Sequence, residues 1–236
     1  MVSRLGKSAL PALLCAALAG PAHTADEGAQ AASPCPGAEA WSVAHPQESD
    51  AAMAERDAAR SFTEPALRAE LAERFAKDQQ ARIAWLADLS SRGLQRAVVL
   101  MDEANVRWLF DLVRTKGFPT AAQVGEAGVR HGWVLLQHAD WAPKFQAALL
   151  PVLEQRHAAG ELGAGDLSRF TDRVLVAQGR PQRYGTQFSP EQWSTSHFGL
   201  PDEQRVREVD QHRRELGVMP LADYVCMMSR ARKGRG

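Results

Sequence analysis

Apolar residues recur along this chain at intervals of three and four, the spacing that gathers them on one side of a helix. The clearest case runs from Thr120 to Asp140, TAAQVGEAGVRHGWVLLQHAD. Thr120 and Gln123 have the spacing of a capping box, and Pro119 stands just before them. At 100° per residue, Val124, Ala127, Gly128, His131, Leu135 and His138 share one stripe, while Val129, Trp133 and Leu136 cover much of the opposite side. Glu126, Arg130 and Gln137 form a narrow polar strip. The pattern therefore predicts a buried central helix with His131 and His138 turned inward.

The same periodicity outlines its neighbours. Thr63 as cap and Pro65 as first residue predict a helix to about Ser90, with Leu67, Leu71, Phe75, Leu86 and Leu89 apolar and Gly93 as its stop. A second helix is expected from about Leu94 to Lys116, ending at Gly117. After the central helix, Pro143 opens one through His157, in which Pro151 should make a kink or a split, and Gly160 terminates it. A helix follows from about Gly165 to Gln178, with Leu167, Phe170, Thr171 and Val174 as its buried stripe. Residues 179 to 188, GRPQRYGTQF, alternate Tyr184, Thr186 and Phe188 between turn residues and suggest an extended loop or short strand. Helices from about Asp202 to Leu216 and from Pro220 onward complete a mainly α, compact multi-helix domain with a short non-helical or strand-like insertion around residues 180–200.

The beginning of the chain has a different character. Arg4 and Lys7 precede an apolar run from Ala9 to Gly20, and small residues around Ala22 to Ala25 fit a cleavage region, so residues 1–22, to 25 at most, are expected to be a secretory signal. That run is too short to cross a bilayer comfortably, and no stable membrane span is expected once it is removed. A lipid anchor through Cys15 is the weaker alternative, because Leu14 stands where a small residue should precede the modified cysteine. The expected location is periplasmic or secreted. Residues 23–50, rich in Ala, Pro, Ser and Gly, suggest a flexible arm, residues 51–229 one helical domain, and residues 230–236 a basic disordered tail.

Charge narrows the partners. Lys plus Arg and Asp plus Glu number 28 each, which leaves no global field for nucleic acid and directs attention to a small-molecule or peptide ligand. After export two cysteines remain, Cys35 and Cys226. An oxidising compartment permits a disulfide between them, and two free thiols are the alternative.

Several short words in the second half recur in order and spacing: Gly117-Phe118-Pro119-Thr120, Gln137-His138-Ala139-Asp140, Asp172-Arg173-Val174, Gln182-Arg183-Tyr184-Gly185-Thr186-Gln187, Val209-Asp210-Gln211-His212-Arg213 and Pro220-Leu221-Ala222-Asp223-Tyr224. With them the chain resembles an uncharacterised bacterial domain-of-unknown-function family over about residues 95–226. The resemblance implies a shared fold and brings no activity with it. Relatives tend to have an acidic residue just before the proline that follows QHAD. This chain has Ala142 there, which passes the capping of the next helix to Asp140.

His138 is the leading candidate for chemistry, since an imidazole at the end of a buried helix can be fixed in one tautomer by a carboxylate and exchange a proton near neutral pH. A core histidine bonded to a carbonyl is the plain alternative. Asp140 or Asp172 could orient the ring, and Tyr184 lies in a loop whose glycine lets backbone approach closely. Gln137, Arg173, Gln182, Thr186 and Gln187 are polar groups that would tolerate burial around a pocket between the QHAD helix end, the Asp172-Arg173 helix and the YGTQ loop, in which Tyr184 and Gln187 would hold a substrate. For Asp140 a cap or turn is the stronger reading, and for Asp172 and Arg173 ion pairing. No metal or cofactor is expected: His131 and His138 stand roughly 10 Å apart along a helix, and no phosphate loop or zinc motif is present. Two function classes stay open. One is a hydrolase or lyase of a small polar or peptide-like substrate with His138 as acid/base; the other is a non-catalytic ligand-binding or protein-interaction module of the cell envelope.

Overall fold

A computed structural model describes residues 34–233, and the regular structure among them is helical, with no strand. The segment expected to be a secretory signal, Cys15 and residues 234–236 of the expected basic tail lie outside the described residues. In order the helices are α1 Pro36–Ala44, α2 Asp50–Ala58, α3 Pro65–Ala87, α4 Arg92–Lys116, α5 Ala121–Gln137, α6 Pro143–Ala158, α7 Ala164–Ala177, the single turn α8 Pro190–Trp193, α9 Glu203–Leu216 and α10 Leu221–Lys233.

The long helices α3, α4 and α5 pack together, and α6 and α7 close the other side of α5. Leu71, Leu109, Val124, Trp133, Leu136 and Leu153 are sealed from solvent between them. At about 1.5–3 kcal/mol for each large apolar side chain removed from water, this cluster is the main source of cohesion. A second cluster joins α1 to α10 through Ala38, Tyr224 and the Cys35–Cys226 disulfide, whose Cα atoms are 5.8 Å apart. A third seats Phe188 of the irregular segment against Val209, Leu221 and Val225.

Several boundaries differ from the sequence expectation. The flexible arm proposed up to residue 50 is already helical at Pro36–Ala44, because Ala38 and Trp41 pack on α10 and the disulfide fastens Cys35. Gly93 lies inside α4 and does not stop α3. Ser91 accepts a hydrogen bond from the Leu94 amide and starts α4 two residues before the glycine. Pro151 does not split α6, which runs unbroken from Pro143 to Ala158 with the proline on its exposed face. Asp140 does not cap α6, which has Ala142 at its N-cap and no side-chain cap. The segment expected to be a disordered tail is helical as far as Lys233.

The central helix carries the most informative difference. Its capping box at Thr120 and Gln123 forms as expected, but Gly125 takes φ +76° and interrupts the helix. A Cβ there would collide with the Arg68 guanidinium and the Asp57 carboxylate, so both φ and space require glycine. Asp57 of α2 then caps the restart, accepting from the amides of Glu126 at 2.7 Å and Ala127 at 3.1 Å. Arg68 secures this carboxylate at 3.0 Å and also reaches the Val124 carbonyl. A residue of the N-terminal segment thus completes the helix at the centre of the molecule.

Candidate functional site

His138 ends α5, and its ring is turned into the interior. Its Nδ1 lies 3.1 and 3.0 Å from the two oxygens of Asp78, a buried residue of α3. One turn further along α3, Arg82 donates to the same carboxylate at 3.3 Å, and its other arm meets Asp102 of α4. Gln79 adds a bond to Asp78 at 2.8 Å. Three helices therefore bring an imidazole, two carboxylates and a guanidinium together. His138 Nε2 makes no hydrogen bond to a described residue, which leaves that nitrogen for a proton.

The electrostatics follow from this packing. Burial pulls the His138 pKa below the usual imidazole value, with Asp78 opposing and the charges of Arg82 and Arg173 assisting. Burial alone would raise the Asp78 carboxyl, yet its bonds to His138, Arg82 and Gln79 hold it below the usual range. The pair is consequently a neutral ring donating Nδ1–H to an ionised carboxylate. Asp102 is pushed up to about 7 by burial and by the nearby Asp78, against the pull of Arg82. Asp78, Asp102 and His138 offer three ligand atoms within 4.8 Å of one another, a spacing a divalent ion accepts. Arg82 bridges both carboxylates and already supplies the positive charge that an ion would bring.

The second group of expected site residues forms a network of its own. Asp172 of α7 accepts from the amides of Arg183 at 2.6 Å, Tyr184 at 3.0 Å and Thr186 at 2.9 Å, and from the Thr186 hydroxyl at 2.9 Å. Gly185 makes the turn with φ +65°. Gln182 and Gln187 close the loop base reciprocally, each bond 2.7 Å long. The Tyr184 carbonyl receives a buried bond of 2.6 Å from Arg213, and burial raises the Tyr184 phenol. These groups satisfy one another across the loop.

Neither carboxylate expected to orient His138 reaches it. Asp140 pairs with Arg173, and Asp172 is committed to the loop. The orienting carboxylate is Asp78, which no motif marked. The link between the two networks is α7, where Asp172 holds the loop and the adjacent Arg173 stands near the imidazole. Gln137 is buried, and its carbonyl accepts from Gln146 at 3.2 Å. The other histidine of α5, His131, stacks on Phe75 at 4.4 Å with Nδ1 buried and unpartnered, and burial lowers its pKa to about 4.

A separate cleft of about 680 Å³ opens between the N-terminal helices and the ends of α5, α7 and α10, and neither His138 nor Tyr184 lines it. Its polar floor carries arginines from α2, α5 and α7 over the buried carboxylates Glu126 and Asp166. No helix among the described residues is long and apolar enough to cross a membrane.

The chain belongs to a family of unknown function (DUF6624), whose profile matches residues 65–234 and so begins earlier than the motif words reach. No curated protein and no solved structure matches it. The segment bearing α1, α2 and Cys35 precedes the matched region.

Proposed function

We propose that this protein is an exported acid–base enzyme, a hydrolase or lyase of a small polar or peptide-like envelope substrate, in which His138 is the acid/base and Asp78 holds its tautomer. The observation that carries this reading is the imidazole with Nδ1 at 3.0 Å from a buried carboxylate and Nε2 without a partner among the described residues. In such a pair Nε2 takes a proton from water or substrate, and the imidazolium is stabilised by the carboxylate on the other nitrogen. Asp140, half exposed beside His138 and paired with Arg173, marks where a polar substrate would arrive. Export is supported by the N-terminal apolar run and by the Cys35–Cys226 bond, since disulfides persist in oxidising compartments.

The test is a thermal-shift and turnover screen of envelope metabolites and chromogenic esters and amides on wild type, His138→Gln and Asp78→Asn. The expected result is turnover or a ligand shift that His138→Gln abolishes without a fall in its own melting temperature. A His138→Gln protein that melts several degrees lower and has lost nothing else would overturn the assignment and make the pair architectural. A second reading, a binding module without chemistry, is favoured by the cleft, which lies apart from His138.

A further inference from the structure

The cleft has an unusual vertical arrangement of charge. Arg56 of α2 and Arg60, two residues past its end, both engage Glu126, at 2.7 and 2.9 Å; the guanidinium side chains are 41 and 38 % exposed and the carboxylate 7 %. Arg130 and Arg169 bracket Asp166 in the same way, with 27 and 22 % exposure above a carboxylate at 9 %. Two carboxylates are thus sequestered below four guanidiniums; Arg56 also donates to the Gln47 carbonyl and Arg130 to Asp50, and with five N–H donors apiece Arg56, Arg60 and Arg130 carry more donors than these bonds use. Asp50, paired with Arg130, and Glu48 stand toward the solvent side and set a negative border that disfavours long polyanions.

The same cleft is also lined by apolar side chains from both sides of the disulfide: Trp41 of α1, Met53 of α2, and Met219, Tyr224 and Met227 around α10. Methionine and aromatic side chains adapt to an organic body without dictating its outline. A volume of about 680 Å³ suits a small molecule and is too confined for a folded partner.

The geometry points to a binding site for a small organic anion, an apolar body bearing a carboxylate or phosphate, with the anionic oxygens on Arg56, Arg60 and Arg130 and the body against Trp41, Tyr224 and the methionines. The site is built jointly by the segment that precedes the family match and by the matched region. It does not depend on the acid–base reading of His138.

The experiment is calorimetric titration and thermal shift of the full chain at low ionic strength with phenyl phosphate, benzoate, inorganic phosphate and benzyl alcohol as probes. Phenyl phosphate or benzoate should bind and raise the melting midpoint, and inorganic phosphate and benzyl alcohol should bind at least about tenfold more weakly, each lacking one half of the recognition. Whichever of the two organic anions binds more tightly identifies the headgroup. Arg60→Gln should weaken the organic anion about tenfold; it leaves Arg56 on Glu126, so the fold keeps its partner. His138→Gln should bind as wild type does. No binding by either organic anion, equal binding by inorganic phosphate, undiminished binding in Arg60→Gln, or loss in His138→Gln would each overturn the proposal.

Discussion

Asp78 and Asp172 are both buried carboxylates at the centre of a hydrogen-bond network, and the two networks differ in one respect. Asp172 receives bonds from Arg183, Tyr184 and Thr186, and the loop they form is further closed by Gln182, Gln187 and Arg213. Asp78 receives bonds from Gln79, Arg82 and His138, and the other ring nitrogen of His138 has no partner among the described residues. The first arrangement fixes a loop in place, as a closed network does. The second keeps one ring nitrogen without a bond to a described residue, so among the polar residues of the family's motif words those around Asp172 are scaffold, while His138 is the one on which the proposed site rests.

The largest expected effect falls on the closed network. Asp172→Ala leaves the loop amides and the Thr186 hydroxyl without their acceptor and should cost about 3–5 kcal/mol in urea unfolding; a loss below about 1 kcal/mol would mean the loop is held by its other bonds. Next comes Asp102, raised from 3.8 to about 7 in the folded state. A carboxyl with a raised folded pKa contributes stability below its unfolded value and loses it as pH rises through the folded one. Stability of Asp102→Asn relative to wild type should therefore improve between pH 4 and 7, by at most about 4 kcal/mol. A flat difference over that interval would mean Arg82 keeps Asp102 ionised throughout.

His131 extends the comparison to an imidazole whose buried Nδ1 has no hydrogen-bonded carboxylate among the described residues. Its pKa is lowered from 6.5 to about 4, so the folded state resists its protonation and stability is lost as pH falls through that window. His131→Phe should gain on wild type by about 3 kcal/mol from pH 6.5 to 4, read from urea midpoints at each pH; parallel curves would refute the burial of a neutral ring. The smallest effect on stability belongs to His138→Gln, within about 1 kcal/mol of wild type, because glutamine can keep a bond to Asp78. A larger loss would move the Asp78 network into the same class as that of Asp172.

The helices were legible because their apolar spacing and their caps are local properties. Thr120, Gln123, Pro143, Asp202 and Gly217 all act at helix ends as their residue types suggest. The break at Gly125 was not legible, since it depends on Asp57 and Arg68 arriving from helices that are distant in sequence. His138 could be read as inward-facing from its stripe, but its partner could not be found by motif. A signal for it does exist: Asp78 and Arg82 occupy the buried face of α3 that also holds Leu67, Leu71 and Trp85. Charged residues in register with an apolar stripe are costly to bury alone, and that cost is what should direct attention to them. The Cys35 bond was one of two readings open to the sequence, since it depends on α1 lying against α10.

That bond has a mechanical consequence. Cys35 and Cys226 are separated by 191 positions, so the covalent bridge turns nearly all of the described chain into a ring. Tension applied between residues 34 and 233 would run from one sulfur to the other and bypass the helices in between. In an optical trap the oxidised protein should extend only by its short ends, and stepwise rupture of the helices should begin once a reductant opens the ring.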